Sequence, residues 1–85
     1  MQLTDTQDYA IQARLAIVIG ATVFDRWFAG VRFARAEGPL LYVYARNEEI
    51  AATIEDDFSL LIADLASRIL KRPVALVVVL PKVLQ

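Results

Sequence analysis

The chain has 85 residues, 58% of them hydrophobic, and its 9 basic and 10 acidic residues leave a formal net charge of −1. That balance argues against a nucleic-acid module held by a basic stripe. With neither Cys nor His, the chain also has no disulfides, no thiolate or imidazole metal ligands and no imidazole general base. A domain of this length buries only about 60–65% of the surface its unfolded chain exposes, so part of this apolar content is expected to form a partner or self-association face.

The first predicted element is a helix over Asp5–Ile19, within a single domain spanning residues 1–85. Thr4 followed by Gln7 reads as a capping box, Asp5 and Asp8 suit the positive end of the helix, and Gly20 is the natural stop. Ile11, Leu15, Val18 and Ile19 form one apolar arc, and Tyr9, Ala10, Ala13 and Ile17 a second. A helix with two apolar arcs is either wholly buried or offers an interaction face, so Tyr9, Ala13 and Ile17 are candidates for self-association.

A short second helix is expected from Val23 to Ala29, capped by Thr22 with Asp25 three residues on, and ended by Gly30. Phe24, Trp27 and Phe28 fall on one side of it. Two strands follow, Val31–Ala36 and Leu40–Ala45, joined by a turn at Glu37-Gly38-Pro39. Leu41, Val43 and Ala45 should face one way and Tyr42 and Tyr44 the other.

Asn47 then caps a long helix from Glu48 to Leu70, with Glu48 and Glu49 in its first turn. Its predicted core stripe is Ile50, Ile54, Phe58, Leu61, Leu65 and Ile69, and Leu60 projects away from it. After Pro73 the run Val74–Leu80 holds no polar residue, the pattern of a strand buried on both faces or paired on both edges. Lys82–Gln85 remain as a tail. The order is α-α-β-β-α-β, an α+β, KH-like arrangement of helices on a small three-stranded mixed sheet.

The acidic side chains sit at helix starts or on solvated helix faces, and the three glycines each end or turn an element. No phosphate loop and no nucleophile–base pair results, so a non-enzymatic domain without metal or cofactor is expected. KH-type nucleic-acid binding needs a GXXG loop, which is absent, leaving at most weak single-stranded DNA contact through Trp27, Tyr42 or Tyr44. No apolar stretch approaches the roughly 18–20 residues of a membrane span, and the start lacks the basic region of a secretory signal. A cytoplasmic location is the expectation.

Phe24-Asp-Arg-Trp27, then Ala45-Arg46-Asn47 twenty residues on, then Ile50, Ile54, Phe58, Leu61 and Leu65 and a closing Val-rich strand form an ordered set. From Thr22 to Pro81 this set resembles the N-terminal domain of the bacterial chromosomal replication initiator DnaA. The resemblance implies a protein-interaction platform that recruits the replicative helicase, supports initiator self-association and docks initiation regulators. It places partner binding on Val23, Arg26, Trp27, Asn47, Glu48 and Glu49. Val23, Arg46 and Glu49 stand where the family often has an acidic or polar residue, a Pro and an aromatic. Both an excised initiator domain and a free-standing relative competing for the same partners fit the sequence.

Overall fold

The first helix begins where its capping box closes. Thr4 Oγ1 accepts the Gln7 N–H at 3.1 Å, Gln7 Oε1 accepts the Thr4 N–H at 2.9 Å, and α1 runs Asp5–Ile19. In the computed structural model, which describes residues 1–82, five further elements follow: α2 (Ala21–Phe28), β1 (Arg32–Glu37), β2 (Leu40–Ala45), α3 (Glu48–Leu70) and β3 (Leu76–Pro81). From residue 83 on, the predicted tail lies outside the described residues. The α+β order α-α-β-β-α-β is that of the sequence reading.

Thr22, expected to cap α2, instead lies inside its first turn, and no side chain caps that helix. The reason is Gly20, which ends α1 by donating its N–H to Ala16 at 2.9 Å and is at once the N-cap of α2. Its φ of 88° and ψ of 155° lie in a region that only glycine enters readily, so the chain turns within one residue.

β1 and β2 pair antiparallel across the Gly38-Pro39 turn, with a register shift between Phe33 and Arg35. β3 returns through α3 to pair parallel with β2, from Leu40 opposite Leu76 to Ala45 opposite Pro81. The strand order is β1-β2-β3. All the core-facing strand residues, among them Phe33, Leu41, Val43, Val77 and Val79, meet Ile11 and Leu15 of α1 and Ile54 and Ile62 of α3 in one cluster. Each such large side chain contributes about 1.5–3 kcal/mol on burial, enough to hold a domain this small.

Two sequence expectations shift here. The buried line of α3 is Ala51, Ile54, Ile62, Leu65 and Ala66, while the predicted Ile50, Phe58, Leu61 and Ile69 flank it half-buried. The helix spans the seam between the sheet and α1, so its buried face is wider than one stripe. The second correction concerns β3. It is an edge strand with only Val77 and Val79 buried, and Leu76 and Leu80 face solvent on the opposite side. An all-apolar run therefore covers a half-open strand.

Both sheet edges are managed. Met1–Leu3 run along β1, where Met1 exchanges hydrogen bonds with Ala36 at 2.8 Å in both directions and the Leu3 N–H reaches the Ala34 carbonyl at 2.9 Å. On β3, Glu55 Oε2 accepts the Val79 N–H at 3.1 Å, and Pro81 at the strand end has no N–H to offer. Among the described residues, no helix is long and apolar enough to cross a membrane.

Candidate interaction surface

The aromatic side of α2 is anchored from within. Phe28, fully buried, stacks on Phe24 with ring centroids 5.6 Å apart and meets Phe58 of α3 edge-on at 5.1 Å. Trp27 packs half-buried against the same core, and the Arg26 guanidinium lies 5.1 Å from its ring centroid. Val23 and Arg26 are exposed beside it. The indole thus has one face in the protein and a cation over its ring.

Asn47 heads α3 as the sequence predicts. Its Oδ1 accepts the Ile50 N–H at 2.9 Å, so the side chain is committed to capping, while Glu48 and Glu49 stay exposed in the first turn. The residue that brings this helix start to α2 is Arg46. Its Nη2 donates to the Arg26 carbonyl at 2.8 Å across twenty residues of sequence. Its methylenes lie over Gly30, where an added Cβ would meet Arg46 Cγ at 3.1 Å. Gly30 has a φ of +76°, so both its conformation and its lack of a side chain serve this contact. Arg46, the residue before the α3 cap, is therefore linked to the main chain at Arg26; in the sequence it stands within the Ala45-Arg46-Asn47 motif and as a departure from the family's Pro.

The second candidate face is on α1. Tyr9 and Ile17 are 66% and 77% exposed, Ala13 between them is exposed as well, and the three repeat every fourth residue. The opposite side of α1 buries Asp8, Ile11 and Leu15. Val18, which the sequence groups in one apolar arc with Ile11, Leu15 and Ile19, is exposed and lines an open groove of about 500 Å³ between α1 and α3. Leu61, Leu65 and Ile69 line that groove, with Arg14 and the Asp64–Arg68 pair, 3.2 Å apart, at its rim. Leu60 projects fully into solvent, as predicted.

Asp8 was expected only to favour the start of α1, yet among the described residues it is the charged side chain that is buried. Its carboxylate accepts the Phe33 N–H and the Gln12 amide, and Arg32 stands 3.6 Å from it. Gln12 also donates to the Val31 carbonyl at 3.1 Å. Arg32 is held above its ordinary pKa, chiefly by its hydrogen bond to Asp5, with the Asp8 charge adding to it. These groups satisfy one another and join α1 to the edge of β1. Among the described residues, no group of three or more acidic side chains is placed to hold a metal ion. No protein-family model and no curated protein matches this chain.

Proposed function

We propose that this chain is a non-enzymatic protein-interaction domain of the replication-initiator type, binding a replicative helicase or an initiation regulator through Val23, Arg26, Trp27 and the Asn47–Glu49 helix start. The observation that supports this most is the Arg46 hydrogen bond, which runs from the residue before the α3 cap to the main chain beside the half-buried Trp27. Trp and Arg are the side chains most often dominant in binding energy at such surfaces. The same surface would serve a free-standing adaptor competing for the initiator's partners. Capture of purified replicative helicase by the immobilised domain tests the reading, with Trp27→Ala and the exposed Arg26→Glu as variants. Loss of capture by variants that still melt cooperatively supports it. Undiminished capture by folded Arg26→Glu and Trp27→Ala ends it.

A homodimer through α1 is the second reading, favoured by the exposed ridge Tyr9, Ala13 and Ile17. A small residue flanked by two large ones at four-residue spacing lets two helices cross closely about a two-fold axis. Sedimentation over a concentration series, repeated with Ile17→Glu, reads this directly. A domain that stays monomeric at the highest concentration overturns it.

A further inference from the structure

The outer edge of β3 has a symmetry of its own. Leu76 and Lys82 donate inward, to the Pro39 and Ala45 carbonyls at 3.3 and 2.7 Å, while the Val79 N–H points outward to Glu55 Oε2. Main-chain groups in a ladder alternate in direction from residue to residue, so Val77 and Val79 carry the outward N–H and C=O groups. Pro81 has no N–H, and the Ala75 N–H is taken by the Pro39 carbonyl at 2.8 Å. Donors and acceptors are therefore evenly placed about Val78.

The side chains share that symmetry. Leu76-Val77-Val78-Val79-Leu80 reads the same in both directions and carries no charge. Val77 and Val79 are buried toward the helices, whereas Leu76 remains 56% exposed and Leu80 38% on the other face. We propose that β3 pairs antiparallel with β3 of a second copy about a two-fold axis at Val78. The Val77 N–H then donates to the second copy's Val79 carbonyl and the Val79 N–H to its Val77 carbonyl, with the reciprocal bonds made by symmetry. Leu76 stands opposite Leu80 and Val78 opposite Val78, pairs that add apolar contact across the seam.

The pairing joins two three-stranded sheets into one, whose outer edges are the β1 strands along which Met1–Leu3 already run. Such an isologous contact closes on itself and stops at two copies. It also gives a β3 without a polar residue a neighbour on both edges. An unrelated strand would match the donors but not the Leu–Leu and Val–Val register, so the occupant is a second copy. Ala52 and Ser59, three and four residues from Glu55, share its flank of α3, so small side chains lie where the two long helices approach.

Glu55 is the gate. It is exposed, and in each copy its carboxylate must leave the Val79 N–H before the strands can join. One short strand pair in competition with that internal bond makes a weak, concentration-dependent dimer. This reading goes beyond the Trp27 surface and is separate from the α1 ridge, since it uses no residue of either.

The test traps the register. The chain has no cysteine, so Val78→Cys places a single thiol on the axis. Facing residues of a non-hydrogen-bonded antiparallel pair have Cα atoms about 4.5 Å apart, within disulfide range. Leu60→Cys, at a position 87% exposed, measures random collision. In oxidised glutathione, Val78→Cys should form the linked dimer about tenfold faster than Leu60→Cys. By sedimentation, Glu55→Ala should lower the dissociation constant about tenfold, Val78→Lys in that background should restore the monomer, and Ile17→Glu should change nothing. Trp27 emission and the melting midpoint report that each variant is folded. Crosslinking at Val78→Cys no faster than at Leu60→Cys, a Glu55→Ala protein monomeric at the highest concentration, or a dimer that survives Val78→Lys would each overturn the proposal.

Discussion

The carboxylate of Asp8 in α1 accepts the main-chain N–H of Phe33 in β1 at 2.9 Å, with both residues buried. Asp8→Ala leaves that N–H without a partner in the interior and Arg32 without one of its carboxylates. An unsatisfied buried donor costs about 1–3 kcal/mol, and in a domain of this size each kcal/mol moves the melting midpoint by about 4–8 °C. A drop of roughly 10–20 °C is expected, and a smaller one for Asp8→Asn, which keeps an acceptor. A thermal scan that leaves the Asp8→Ala midpoint in place contradicts this account. The raised pKa of Arg32 means that its ion pairs contribute below its unfolded-state pKa and are lost only in strong alkali.

Gly30→Ala probes the Arg46 bridge. The new methyl enters at a φ of +76° and 3.1 Å from Arg46 Cγ, so it brings backbone strain and displaces the bridging side chain. A loss of about 1–2 kcal/mol from the left-handed backbone is expected, plus the cost of moving Arg46. In an Arg46→Ala background the steric share disappears and the strain remains. Chemical denaturation of the two single variants and the double variant should therefore be non-additive, and strict additivity refutes the contact.

Glu55→Ala uncovers the Val79 N–H on the outer edge of β3. Glu55 is an exposed helix residue, so the midpoint should fall by no more than about 1 kcal/mol equivalent. Association, by contrast, should rise with concentration, because an apolar edge strand with an open N–H is a template for strand pairing. Light scattering of parent and variant side by side checks this. Equal scattering at all concentrations removes Glu55 from edge protection.

Lys71 closes α3 in a left-handed conformation, with φ 54° and ψ 43°, the position where glycine is the usual residue. Lys71→Gly relieves that strain and should raise stability by about 1 kcal/mol, near 4–8 °C in the midpoint. An unchanged or lower midpoint would mean that the lysine side chain contributes as much as the strain costs.

The parts of this fold legible in the sequence are those fixed by near neighbours. Thr4 and Gln7, or Asn47 and Ile50, are three residues apart, and their capping bonds form as the spacing predicts. The alternation of Leu41, Tyr42, Val43 and Tyr44 sorts those side chains between core and open face for the same reason. What escaped is long-range. Asp8 is buried because Phe33, twenty-five residues on, needs an acceptor, and Arg46 matters because of a carbonyl twenty residues before it. Local composition carries no trace of either. For β3, an all-apolar run records an affinity for apolar surroundings without saying how many sides the rest of the chain supplies.

Gly20 ends one helix and begins the next with no residue between them. Nothing lies within 4 Å of where its Cβ would stand, so a side chain there would meet open space and only the torsion angles would object. The exposed ridge of α1 and the Trp27 helix consequently meet at a single glycine. A torsional change at that single joint would reach the tryptophan as a swing of its whole helix.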